Sequence, residues 1–314
     1  MGNVARNLDH HMLEVISGIS SLQLTDAALL QKSFARDTIY YSKSFLYILR
    51  ASHGDNGSLG YKYISHDLVA VLGYRNNIIY LTPIKDETKG ERLQQLCQEI
   101  VRQIHCRVIL KKFSKDTYPL MKNKHTNISE YEREDDAYPE KLLRLSSLFT
   151  PQGEINPRAK QFNRKVKRFE KLGITFDIVE NITHIPKQQI EQFLKMTPEK
   201  FANYLPMITY LYAHGKDSRY KMMVFLHKNI VHGVYISDTL SQKEVGLYCS
   251  VGAKNNPGST EWMDWYFFRN LFFEGIQTIY FGGAETKGVD CYIKKLLPDK
   301  PSYFVETVEY IDNL

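Results

Sequence analysis

The chain has 314 residues, 43% of them apolar and 24% charged, with a formal net charge of +6. This is the composition of a globular protein with a sizeable core, long enough for two ordinary domains or one large one, and its moderate basicity suits a phosphate-rich partner. No stretch reaches ~18 uncharged apolar residues, so no membrane span is expected. The opening, MGNVARNLDHHMLEVI, carries Asp and His where a signal peptide would need an apolar run, and it lacks the Ser or Thr of a myristoylation signal. Cys97, Cys106, Cys249 and Cys291 show no CxxC spacing, and the ten histidines show no HExxH. The cysteines read as reduced core thiols of a cytoplasmic protein, and no metal centre is expected.

In chain order, Met12, Val15, Ile16 and Ile19 are spaced for one face of a helix, and a second short helix covers Asp26 to Ser33. The period then changes. Tyr61 to Ile64, Leu68 to Leu72 and Ile78 to Leu81 are short β-branched runs joined by tight turns, a β-meander that Pro83 is expected to end. Leu93, Leu96, Ile100 and Ile104 line one face of a helix over Lys89 to Ile104, and Arg107 to Leu110 returns to strand. The first half therefore reads β-β-β-α-β.

Residues 127–140 carry six acidic side chains and a proline, read as a solvated linker. The domain boundary is placed there, dividing the chain into 1–135 and 136–314. Glu140 to Leu148 is expected to form a short helix. Arg158 to Lys171, RAKQFNRKVKRFEK, has seven basic residues of fourteen, yet Phe162, Val166 and Phe169 recur at i, i+4, i+7. A purely solvated run would not carry that stripe; the spacing predicts a helix docked by one face and positive on the other. Gly173 caps it, Ile174 to Val179 is a strand, and Pro186 to Leu205 is helical. Lys221 to Leu226, Ile230 to Ile236 and Val245 to Val251 are three further strands. Ser259 is the expected N-cap of an aromatic helix over Glu261 to Glu274, and Thr278 to Phe281 is a last strand. The second half repeats the order of the first, as a duplicated unit would.

That order, with a loop between the third strand and the helix, resembles the GNAT acyltransferase fold: α/β with mixed sheets, two GNAT-like domains in tandem. Asp37 to Arg50 (DTIYYSKSFLYILR), Tyr138 to Leu145 (YPEKLLRL) with Lys160 to Arg168 (KQFNRKVKR), and Phe281 to Lys295 (FGGAETKGVDCYIKK) resemble segments of the phosphatidylglycerol lysyltransferase C-terminal-domain family, and the last also resembles the end of the related Fem peptidyltransferases. The resemblance implies an aminoacyl-tRNA donor and transfer to an amine or hydroxyl. The family's lysyltransferases carry a membrane-embedded region that this sequence does not contain, which favours a soluble small molecule or peptide as acceptor. The Lys254-Asn255-Asn256-Pro257-Gly258 loop also lacks the Arg/Gln-x-x-Gly-x-Gly/Ala cradle that would hold a pyrophosphate on a helix N-terminus, which argues against coenzyme A. The alternative is an N-acyltransferase using acyl-CoA or an acyl carrier protein, whose acidic surface would also suit the basic helix.

An aminoacyl ester is already activated, so the chemistry needs donor and acceptor held together, a proton removed and an oxyanion stabilised, with no covalent intermediate. No GxSxG and no Cys-His pairing is present. On the basic helix, Lys160, Arg164, Lys167 and Lys171 run along one side, with Arg168 beside them, to track phosphates, and Asn163 is placed to bond a ribose or base. On the aromatic helix most side chains need only pack, but Asp264 and Arg269 are charges that need a partner or solvent. Asp264 is the candidate to orient the acceptor amine. The GGAETKG turn follows a strand, where GNAT-like folds present groups to substrate. There Glu285 is the first choice for general base, and Lys287 or Lys294 for oxyanion or phosphate contact. Tyr248, Trp265, Arg269, Gly282 and Gly283 are expected to line the substrate pocket.

Overall fold

The computed structural model describes residues 12–33, 44–54, 58–88, 90–113, 126–127, 140–196, 198–215, 218–253, 255–282, 302–303 and 306–310. The chain opens on a single 3-10 turn, Met12–Val15, rather than a longer helix, because Gly18 turns left-handed (φ 90°) and sends it into strand β1, Ile19–Ser21. Leu13, Ile16 and Ile19 point inward while Val15 is exposed. Helix α1 spans Ala27–Lys32, and helix α2 spans Phe45–Ala51. Phe45 to Leu49 are all buried, so α2 shows no amphipathic period in the sequence. Ser44 caps it, its Oγ accepting from the Leu46 N–H at 3.1 Å.

Strands β2 (Tyr61–Ile64), β3 (Leu68–Arg75) and β4 (Ile78–Asp86) form the antiparallel meander. Asn76 and Asn77, both left-handed (φ 51° and 62°), close the β3–β4 hairpin, the geometry whose twist matches the flanking strands. Pro83 does not end β4: the register shifts around Ile84, and a bulge tolerates a residue that cannot donate to the ladder. Helix α3 (Glu91–Ile104) buries Leu93, Leu96, Ile100 and Ile104 as their spacing predicts, and β5 (Arg107–Phe113) then runs parallel to β4.

Strand β6 is Thr126–Asn127. Glu140 to Leu148 is mostly strand: β7 (Glu140–Arg144) precedes the one-turn helix α4 (Leu145–Leu148). Helix α5 (Lys160–Glu170) and strand β8 (Asp177–Val179) follow. The helical stretch after Pro186 is two helices, α6 (Lys187–Leu194) and α7 (Pro198–His214), since Pro198 opens a helix but cannot continue one. Strands β9 (Tyr220–His227), β10 (Ile230–Ser241) and β11 (Glu244–Gly252) form a second antiparallel meander. Helix α8 (Ser259–Phe273) crosses over to β12 (Thr278–Gly282), which runs parallel to β11. Strands β13 (Ser302–Tyr303) and β14 (Glu306–Tyr310) complete the described chain.

The sheets are ordered β1-β2-β3-β4-β5-β14-β6 and β13-β7-β12-β11-β10-β9-β8. Each contains the GNAT-like order, so the fold is two such α/β units in tandem. The division at 135/136 does not separate them cleanly, because β14 from the end of the chain pairs with β5 of the first sheet. One apolar core joins the sheets: Val69, Val71 and Ile84 of the first and Val224, Val234 and Ile236 of the second share a cluster with α2, α6 and α7. The outer face of the first sheet is covered by α3, and that of the second by α5 and α8. A polar contact also spans the halves. Asp238, fully buried on β10, accepts two bonds from Arg219 (2.9 and 2.7 Å) and one from the Ser44 hydroxyl (2.5 Å).

Candidate active site

Parallel strands β11 and β12 pair only from Glu244↔Thr278 to Gly246↔Tyr280, whereas β11 runs on to Gly252. Beyond Gly246 the two strands part. At the same place β11 slips against β10: Ile236 pairs with Cys249 and Ser237 with Leu247, which leaves Tyr248 as the extra residue of a bulge. The bulge turns Tyr248 away from the opening and into the inter-sheet core, where it is 1% exposed. Tyr248 is therefore a packing residue rather than a pocket wall. Its hydroxyl would lie 2.3 Å from a Cβ at Gly246, so Gly246 has no room for a side chain.

Downstream of the bulge, Ser250 is solvent-exposed and faces α8. Asp264 lies behind it, 1% exposed. The Asp264 carboxylate accepts from the Tyr235 hydroxyl of β10 at 2.8 Å and from the Ser250 hydroxyl at 3.4 Å. Burial pushes its pKa up to about 7, against the Tyr235 and Ser250 bonds, which favour the ionised form; nearby Glu261 adds a further upward push. One turn on, Phe268 packs on Phe281 of β12 with 5.9 Å between ring centres. The α8 face carrying Asp264 and Phe268 thus bridges the two parted strands. Asp264 is partnered, as a charge on an apolar helix must be.

Trp265 and Arg269 lie elsewhere. Arg269 donates from Nε to the Gly153 carbonyl (3.1 Å) and stacks its guanidinium on Trp265 and Phe273, 5.7 and 4.7 Å from the ring centres. They fasten the Thr150–Gly153 turn to α8 and do not meet Ser250 or Asp264. Gly282 closes β12. Gly283, Glu285, Lys287 and Lys294 lie outside the described residues. Opposite Gly282, Lys141 of β7 is buried (6% exposed), a lysine that the helical reading of Glu140 to Leu148 concealed. Read as a strand, KLLR alternates and places Lys141 on the inward face with Leu143.

The basic helix α5 packs on α8. Phe162, Val166 and Phe169 are buried, and Phe169 lies 5.7 Å from Trp262 and 5.4 Å from Phe176 between ring centres. Lys160, Arg164, Lys167, Arg168 and Lys171 are exposed, and Asn163 is half-buried. Lys165, partly exposed, reaches across instead to pair with Glu261 in the first turn of α8. Gly258, rather than Ser259, is the N-cap residue: it is left-handed (φ 86°), and a Cβ there would sit 2.3 Å from the Lys165 carbonyl oxygen. Ser259 instead donates to the Ala253 carbonyl at 2.8 Å.

In the first half, β4 and β5 likewise part after Leu81↔Leu110. There the Asp86 carboxylate accepts from the Thr88 and Gly90 N–H groups (2.9 and 3.1 Å), occupying the approach to α3. On the sheet face toward α2, His53 bonds through Nδ1 to the Arg50 carbonyl (2.5 Å) and through Nε2 to Arg75 (3.2 Å). A neutral imidazole fits both bonds: Nδ1–H donates and Nε2 accepts. Burial, with the Arg75 charge next, lowers its pKa to about 4. His66, Asp67 and Glu87 bring potential ligand atoms within 4.8 Å of one another near the start of β3, but the His66 ring is already bonded to Asp67 at 2.6 Å.

No family model matches the chain, and no curated protein matches it in sequence. Solved structures do share its fold. A conserved protein of unknown function from Bacteroides thetaiotaomicron aligns with 94% of this chain and 99% of its own, at TM-score 0.68 and 11% identity. L-PGS from Bacillus licheniformis aligns over 94% of each chain, at TM-score 0.58 and 12% identity. FemX aligns over 94% of this chain and 97% of its own, at TM-score 0.53 and 9% identity.

Proposed function

We propose that the protein is an aminoacyltransferase that takes an aminoacyl group from aminoacyl-tRNA and passes it directly to an amine or hydroxyl of a soluble small molecule or peptide. The observation that carries this reading is where positive charge is available. The exposed cations of α5 ride on the helix that bridges β11 and β12, whereas both crossover helices begin with their own carboxylates in place. Asp86 occupies the approach to α3, and Glu261 with Lys165 stands at α8. A pyrophosphate seeking a helix N-terminus meets a carboxylate at each, while a polynucleotide backbone meets an open row of lysine and arginine. The likeness to L-PGS and FemX in fold, and the resemblance of the Lys160 to Arg168 segment to the lysyltransferase family, support the same donor.

Such contacts are salt-sensitive and largely blind to base sequence. In a gel-shift assay with a pool of charged tRNAs, binding should weaken steeply with salt. Arg164→Ala with Lys167→Ala should lower the slope of log K against log salt by about 2. Binding at low salt that is indifferent to these two residues would remove α5 from the interface and with it the main support for the reading.

A further inference from the structure

We propose that Ser250 and Asp264 form a proton relay that serves the attacking nucleophile in the opening between β11 and β12, with Tyr235 holding the carboxylate in place. The inference rests on the acyl-transfer reading above but is indifferent to the donor. Three observations converge. Ser250 is exposed where β11 has parted from β12, so its hydroxyl is within reach of a bound acceptor, while Asp264 behind it is sealed from solvent. Ser250 bonds to the same Asp264 oxygen, Oδ1, that accepts from Tyr235. The helix carrying Asp264 also packs on β12 through Phe268 and Phe281, so one rigid element holds the carboxylate on β11 and touches the strand on the far side of the opening.

Among the described residues, the charged and titratable groups around Asp264 come from each packed element. Tyr235 is on β10, with Cys249 of β11 acting on it; Ser250 is on β11; Glu261 is on α8 and is itself paired with Lys165 of α5. Burial raises the Tyr235 phenol as well, so Tyr235 remains a donor at neutral pH and the carboxylate is the group that takes the proton. The step balances. The acceptor amine or hydroxyl attacks the ester carbonyl carbon and gives its proton to Ser250 Oγ as the Ser250 proton passes to Asp264. The bond from the carbonyl carbon to the leaving group then breaks, carbon–oxygen in an ester or carbon–sulfur in a thioester, and the proton returns through Ser250 to the departing oxygen or sulfur. No proton is gained or lost over the cycle. Asp264 acts through Ser250, so it is a positioning and proton-storing residue, and Ser250 is the group that touches the substrate.

The test measures single-turnover transfer from charged tRNA, and in parallel from acyl-CoA, between pH 5.5 and 8.5. Wild-type rates should climb about tenfold per pH unit below the Asp264 ionisation and level above it. Asp264→Asn should lose about 100-fold and flatten the profile, and Ser250→Ala should lose at least about tenfold. Ser250→Thr, which keeps the hydroxyl, should recover most of that loss. An Asp264→Asn enzyme with the wild-type pH profile, or a Ser250→Ala enzyme at the wild-type rate, overturns the relay. Transfer from acyl-CoA alone would refute the donor reading and leave the relay judged on the same variants. If neither donor supports transfer, the acyl-transfer reading fails, and carboxyl-carbon NMR judges the pair by itself. Titration of Asp264 near neutrality, moving upward in Ser250→Ala, supports the pairing; a carboxyl silent from pH 5 to 9 overturns it.

Discussion

His53 and Asp264 are buried groups that burial moves in opposite directions, His53 down to about 4 and Asp264 up to about 7. Their effects on stability have opposite signs. For His53 the unfolded chain takes up a proton below its ordinary value near 6.5 and the folded chain does not, so this stability is present above 6.5 and lost as pH falls to about 4. For Asp264 the folded chain holds a proton that the unfolded chain releases above about 3.8, so this stability is full below that value and lost as pH rises to about 7. Each is worth on the order of 3 kcal/mol, so the two largely cancel across the shared window. Urea denaturation at several pH values should show Asp264→Asn gaining stability with pH from 4 to 6.5 more steeply than wild type. A variant as flat as wild type would mean that Asp264 is ionised normally. The sequence showed that Asp264 needed a partner, because a charge on an apolar helix is costly. It did not show which, since Tyr235 is 29 residues away. Tyr248 lies on a central strand, but the sequence does not show the bulge that turns it into the inter-sheet core.

At the scale of the element, α5 is legible because its apolar stripe stands out against so much charge. What the stripe does not reveal is that Lys165 leaves the ridge for Glu261. That pairing depends on the close approach of α5 to the start of α8, which Gly258 permits. Gly258→Ala combines a left-handed backbone with a clash against the Lys165 backbone, and should cost about 1–3 kcal/mol. Gly173 has nothing within 4 Å of its Cβ position, so Gly173→Ala meets only its own left-handed backbone (φ 64°) and should cost less. Equal losses in thermal denaturation would show that packing against α5 contributes nothing. LLRL suits a helix locally, and only the edge of β12, far along the chain, makes β7 a strand. Helix α2 leaves no such signal for the converse reason, Phe45 to Leu49 all being buried.

For the whole molecule, the two GNAT-like units were legible as a repeated order of elements. Their union was not, because it depends on β14 returning to the first sheet and on a core drawn from both sheets. With that shared core, the protein should unfold in one cooperative transition. Asp238→Ala, which leaves Arg219 facing a buried gap, should lower stability by about 3–5 kcal/mol without splitting that transition. Two separated transitions by circular dichroism would show that the halves are independent. The opening between β11 and β12 and the α5 ridge both belong to the second unit, where α5 packs on α8. The most direct measurement of the account is a donor comparison: the protein is mixed with a radiolabelled pool of charged tRNAs and, separately, with labelled acyl-CoA, over a mixture of small-molecule and peptide acceptors. Label should leave tRNA for an acceptor, raised salt should suppress the transfer, and Arg164→Glu with Lys167→Glu should abolish it. Label that stays on tRNA while acyl-CoA is consumed would contradict the donor reading.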